Sequence, residues 1–196
     1  DYYLTHDQTN HYEYLKDVLK AMQFIKGPKK WVLKSPQHLE QILPLLNTFP
    51  DATFAITYRD PLSVVLSTAT MLSYGDRVRR YQVDPKNNFS YWHNRIKTLL
   101  ERFTADYKLI PLDQKSDVFF HDLIKDNIKS VKSIYSKNSL KFSALANGEI
   151  EEYMKLNKRG KHGQVIYNLE DFNVDKSEFY ESFKFYFDAF NVLKEI

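Results

Sequence analysis

The chain contains no cysteine. Disulfides, thiolate nucleophiles and thiolate-bound zinc are thereby excluded, and a cytoplasmic setting is the expected one. Glycine is scarce, five residues in 196, and no glycine-rich loop followed by a basic and a hydroxyl residue precedes Trp31. No apolar run approaches the roughly 20 residues of a membrane span, and no signal peptide is visible. Charge of either sign is not in excess: 28 Lys and Arg face 25 Asp and Glu, a net charge of +3. That balance suits a small anionic ligand and is too weak to argue for nucleic acid. The six histidines show no metal-ligand grouping, so no metal is expected. Aromatic residues, by contrast, are abundant, with 14 Tyr and 14 Phe, and the core is expected to be built around rings. A length of 196 residues implies one domain with a proper core.

The chain is organised around residues 52–67, ATFAITYRDPLSVVLS. Phe54, Ile56 and Tyr58 alternate with Thr53, Ala55 and Thr57, and the scarcity of polar residues predicts a strand covered on both sides. Asp60 supplies an N-cap oxygen, and Pro61 fits the first helical position because its missing N–H is not needed there. Arg59 is thus held at the carboxyl end of a strand, beside a helix start, with Ser67 two turns into the helix on the face of Ser63. Ligands bind at this edge of open α/β sheets, and helix starts favour anions. An arginine fork with a hydroxyl makes a phosphate clamp; a surface Arg59–Asp60 pair with an ordinary helical serine is the plain alternative.

Upstream, residues 11–25 read as an amphipathic helix ended by Gly27-Pro28. Trp31-Val32-Leu33 then reads as a short strand, and a second helix begins near Gln37, with Pro44 as a kink. Downstream, residues 75–88 (GDRVRRYQVDPKNN) read as an arginine-rich loop where acceptor selectivity would lie, or else a solvated linker. A helix is expected over 89–107, a strand at Val118-Phe119-Phe120, and helices after it and over 143–156. Residues 157–163 (NKRGKHG) form a basic loop, and Asp175-x-x-Glu178 has the form of a capping box opening an aromatic last helix. Strands alternating with helices indicate an α/β fold with a mainly parallel sheet.

Lys34 and Arg59 each follow a predicted strand, so neighbouring strands would bring both cations to one crevice. Lys158, Arg159, Gly160, Lys161, His162 and Gly163 form a third cluster. Transfer of phosphoryl or sulfuryl groups relies on such cations to position and stabilise negative charge, although any one of these lysines alone is most simply solvated.

Trp-Val-Leu-Lys-Ser-Pro-x-His-Leu from Trp31, Phe-Pro-Asp-Ala from Phe49, and Tyr-Arg-Asp-Pro with Ser67 eight residues past Arg59 together resemble the PAPS-dependent sulfotransferases, bacterial-type and tyrosylprotein-sulfotransferase-like. FFHDL from Phe119 and HGQVIYNLEDF from His162 are similar to later blocks of that family. The resemblance implies a single sulfotransferase-like domain over residues 1–196, in a three-layer P-loop-like α/β fold. It further implies PAPS as donor, PAP as product and no metal. The acceptor would be a small molecule, glycan or peptide, in the cytoplasm or, in a eukaryote, the Golgi lumen. Arg59 and Ser67 would hold the 3′-phosphate, Lys34 would steady the leaving oxygen, and Phe120 would stack on adenine without the hydroxyl of the usual tyrosine. Lys158, Arg159 and Gly160 would close over the nucleotide, with His38 a candidate base or substrate contact. The family's 5′-phosphosulfate loop is not in this sequence. The resemblance therefore implies the C-terminal part of a longer enzyme, with a non-catalytic binding or interaction module as the alternative. A P-loop kinase relative is disfavoured by the missing Walker lysine.

Overall fold

The computed structural model describes residues 5–158, 160, 161, 163, 167 and 169–196. Helix α1, Thr9–Lys26, covers the predicted 11–25 segment and stops at Gly27, whose φ of 79° lies in the left-handed region. A 3-10 turn, Pro36–Glu40, leads to α2, Ile42–Thr48. Pro44 falls in the first turn of α2, where no N–H is required, so it starts a helix instead of kinking one.

Strand β1, Phe54–Tyr58, runs into α3, Pro61–Arg77, with Asp60 as N-cap accepting the Leu62 N–H at 2.9 Å. That junction is as the residues dictate. The loop expected over 75–88 is shorter: α3 continues to Arg77, and α4, Pro85–Asp106, begins with its own Asp84 cap and Pro85 at its first position. A cap followed by proline is a helix start, and it outweighs the polar composition of the segment.

Strand β2, Lys115–Phe119, is followed by α5, Phe120–Lys125, and α6, Asn127–Lys137, then by α7, Ala144–Leu156. Phe120, expected to end a strand, opens a helix. The terminal aromatic segment comprises α8, Leu169–Phe172, α9, Lys176–Ser182, and α10, Lys184–Ala189. Asp175 accepts the Ser177 and Glu178 N–H groups at 2.7 and 3.0 Å, as a cap should.

β1 and β2 pair in parallel, Phe54 opposite Lys115 and Tyr58 opposite Phe119. The α/β character and parallel pairing are as expected. Two local expectations are corrected. Residues 31–33 are not a strand: among the described residues β1 pairs only with β2, and Val32 is 94% exposed. Without a partner ladder, an apolar triplet has nothing to hold it extended. Nor is β1 covered on both faces, because Ile56 and Tyr58 are buried while Thr53, Ala55 and Thr57 are exposed.

α3 packs along α4, and the core between them and the sheet is aromatic. Tyr58 lies 5.0 Å from Phe119 and 4.9 Å from Phe190, ring centre to ring centre, with Phe103 and Tyr186 in the next positions. Asp117 accepts both the Tyr58 and Tyr107 hydroxyls, at 2.7 and 2.9 Å. Burial, reinforced by that bond, pushes the Tyr58 phenol well above its ordinary pKa and keeps it protonated.

His93 is wedged among Phe89, Phe179 and Phe183, with Nε2 3.0 Å from Ser182 Oγ. Burial lowers its pKa below the usual 6.5, the Lys97 charge adds to this and Glu178 opposes it. Below about pH 6.5 the unfolded imidazole binds a proton that the folded one resists, so stability falls on acidification. Urea midpoints at pH 7.5 and 5.5 should therefore differ less in His93→Gln than in the parent. An equal or larger difference in the variant would remove His93 from this account.

Candidate functional site

The pairing register builds the site. Because Tyr58 and Phe119 are partners at the carboxyl ends of β1 and β2, the next residues, Arg59 and Phe120, emerge side by side. The Arg59 guanidinium lies 4.1 Å from the centre of the Phe120 ring, a cation–π contact. Its fork is engaged by Glu195: Nε donates to Oε1 at 3.0 Å and to Oε2 at 3.2 Å, and Nη2 donates to Oε2 at 2.9 Å. Arg59 thus holds an oxyanion in the bidentate manner that suits carboxylate and phosphate alike.

Asp60 is the hub beneath this pair. It is 0% exposed, and besides capping α3 its Oδ2 accepts the Tyr180 hydroxyl at 2.9 Å and the Glu195 N–H at 2.8 Å. Burial and the Asp60 bond raise the Tyr180 pKa, so that hydroxyl stays a donor. A cleft of about 120 Å³ opens at the strand ends, lined among others by Arg59, Phe120, His121, Val192 and Leu193. It admits a phosphate-sized group and is well below the roughly 300 Å³ of pockets that enclose drug-sized ligands.

Arg59 and Phe120 are the expected residues that the fold joins directly. Ser67 lies on α3, about 9 Å along the axis from Pro61 at 1.5 Å per residue, and among the described residues it shares no hydrogen bond with Arg59. Lys34 is exposed on the irregular segment before Pro36, not at a strand end. His38 is not a surface histidine: Nδ1 lies 2.9 Å from the hydroxyl of buried Tyr12, and burial lowers its pKa. Lys158 and Gly160 lie on an exposed turn, where Gly160 has φ 81° and accepts the Gly163 N–H at 2.9 Å. Arg159 and His162 fall outside the described residues.

Sequence reasoning missed Glu195, Tyr180 and Tyr12. Asp60 was legible as a cap, but nothing near residues 180 or 195 marks them as its partners. A tyrosine or glutamate 120 or 135 positions away leaves no periodic trace.

A chain with a parallel strand pair, helices following each strand and an arginine at the carboxyl edge has the layout of open α/β folds, which place their ligand sites at that edge. The comparisons narrow this. The model of the "Sulfotransferase family" matches residues 3–144, and the chain belongs to that family. Two crystal structures share its fold. One is sulfotransferase STF9 from Mycobacterium avium, with a TM-score of 0.85 at 20% identity, covering 98% of this chain and 50% of that one. The other is sulfotransferase STF1 from Mycobacterium tuberculosis H37Rv, with a TM-score of 0.73 at 24% identity, covering 91% and 46% respectively. The chain thus spans about half the length of these structures. No curated protein matches in sequence.

Proposed function

We propose that the chain serves sulfuryl transfer from PAPS to a hydroxyl or amine acceptor. The observation that carries this reading is the Arg59 fork, held at a strand end by cation–π contact with Phe120 and already gripping an oxyanion. The residues fit a 3′-phosphate at that position, because its oxygens present the same acceptor geometry as the Glu195 carboxylate. PAPS supplies the sulfuryl group and departs as PAP.

The chain's own residues have separate tasks in this reading. Arg59 neutralises the 3′-phosphate, and Ser67, further along α3, offers it a hydroxyl donor. Phe120 presents its ring to the adenine on the side that Arg59 does not cover. Lys34 brings an ammonium towards the oxygen that gains charge as the sulfuryl group leaves. His38, kept neutral by burial and oriented by Tyr12, can take the acceptor's proton. Lys158 and Gly160, on their exposed turn, are the described residues of the loop assigned to cover the nucleotide.

Calorimetric titration with PAP tests the clamp. Arg59→Ala should weaken binding about 100-fold, the equivalent of losing two charge-assisted hydrogen bonds to a phosphate. Unchanged affinity would sink the assignment. A second reading, a nucleotide-binding or interaction module without turnover, is favoured by the small cleft and by the occupation of Arg59 by Glu195. Transfer of labelled sulfate from PAPS by the 196-residue chain would exclude it.

A further inference from the structure

The segment after α10 has no regular secondary structure, yet it is tied down across the strand ends. Glu195 holds Arg59 through three contacts of 2.9–3.2 Å, and its own N–H is anchored on Asp60. The Ile196 carbonyl accepts the Tyr180 hydroxyl at 3.0 Å. The Lys194 ammonium sits 4.1 Å from the centre of the Tyr180 ring. Val192 and Leu193 form one wall of the cleft, and Leu193 remains 58% exposed.

We propose that residues 192–196 form a displaceable latch in which the Glu195 carboxylate occupies the anion position on Arg59, so that an incoming phosphate must exchange with it. The proposal rests on the reading of Arg59 as the donor's anion clamp. Three features support it. The occupant is chemically equivalent to the ligand: a carboxylate and a phosphate oxygen pair satisfy the same guanidinium fork. The pair is open to exchange, since both side chains keep contact with water, Arg59 35% and Glu195 26% exposed, so an incoming anion can reach the guanidinium and dissolved salt screens its attraction to Glu195. The anchor survives release, because Asp60 retains Leu62 and Tyr180 as donors when the Glu195 N–H departs. Exchange therefore leaves the α3 cap intact. It also removes Val192 and Leu193 from the wall of a cleft that is too small for a nucleotide.

The latch also sets a preference. Only a ligand whose anionic group reaches Arg59 can replace Glu195; a nucleoside lacking that phosphate meets an occupied fork and a closed wall.

The test uses the full chain, its Glu195→Gln and Arg59→Ala variants, and two probes, inorganic phosphate and PAP, titrated by calorimetry. Amide hydrogen exchange over 192–196 is followed in parallel. Glutamine keeps the shape and removes the charge, so both probes should bind about fivefold tighter to Glu195→Gln, the equilibrium value of a partly exposed ion pair. Either probe should also speed exchange at the Glu195 amide of the parent chain. Equal or weaker phosphate binding by Glu195→Gln, or slower exchange on adding phosphate, overturns the latch. If phosphate behaves as expected while PAP binding is insensitive to Arg59→Ala, the latch stands and the nucleotide reading fails.

Discussion

Replacing Asp60 with alanine is expected to remove about 2–4 kcal/mol of stability. The side chain is fully buried and accepts three hydrogen bonds from three distant parts of the chain: the start of α3, α9 and the segment after α10. Loss of the cap alone costs about 1 kcal/mol. The Glu195 N–H is left without an acceptor, at roughly 1–3 kcal/mol for a donor that cannot reach water, while the Tyr180 hydroxyl keeps the Ile196 carbonyl. Asparagine separates these contributions, because it can keep an oxygen on the Leu62 N–H while turning an amide towards two donors. Asp60→Asn should therefore fall between the parent and alanine in chemical denaturation. An alanine variant within 1 kcal/mol of the parent would show that the hub is dispensable, and that the geometry at Arg59 does not depend on it.

The second large effect is expected away from the site. Glu40, in the 3-10 turn, has a side chain only 1% exposed and is held by the fork of Arg95 on α4, with Nη1 donating to Oε2 at 2.9 Å and Nη2 to Oε1. Arg95→Ala strands a buried carboxylate, which typically costs about 3–5 kcal/mol. The pair itself is a poor source of stability, because desolvation offsets most of its attraction. Glu40→Leu combined with Arg95→Leu should accordingly recover most of the loss. A double variant as unstable as Arg95→Ala would mean that the pair contributes in its own right. The turn carrying Glu40 begins two residues after Lys34 and contains His38, so this bond also fixes the backbone that carries both candidate catalytic groups. Arg95→Ala should therefore loosen the Tyr12–His38 contact, visible as a change in the imidazole resonances of His38.

Legibility differed sharply between these features. The Asp60-Pro61 junction could be read because capping is local: an oxygen, a proline and the first N–H groups lie within four residues of one another. The aromatic core formed by Phe179, Phe183, Tyr186 and Phe190 was likewise legible from spacing, although the single last helix expected to carry them with Phe187 breaks at Phe183 into α9 and α10, and Phe187 is only partly buried. The strand at residues 31–33 was misread because alternation describes a surface that could pair and says nothing about whether a partner is present. The loop at 75–88 was misread because charge and polarity mark exposure, which a solvated helix end shares with a loop.

For the site, the sequence by itself determined that an arginine stands at the end of a strand, before a capped helix. Local hydrogen bonding and side-chain periodicity suffice for that. The sequence put Phe120 at the end of a second strand, whereas the structure has that strand end at Phe119 and Phe120 open α5. Only the tertiary structure decided that the two strands pair with Tyr58 opposite Phe119, setting Arg59 over Phe120. It also decided that the fork closes on Glu195, 136 positions away. Contacts of that span are selected by packing and by the need of buried polar groups for partners, neither of which leaves a local signature in the chain.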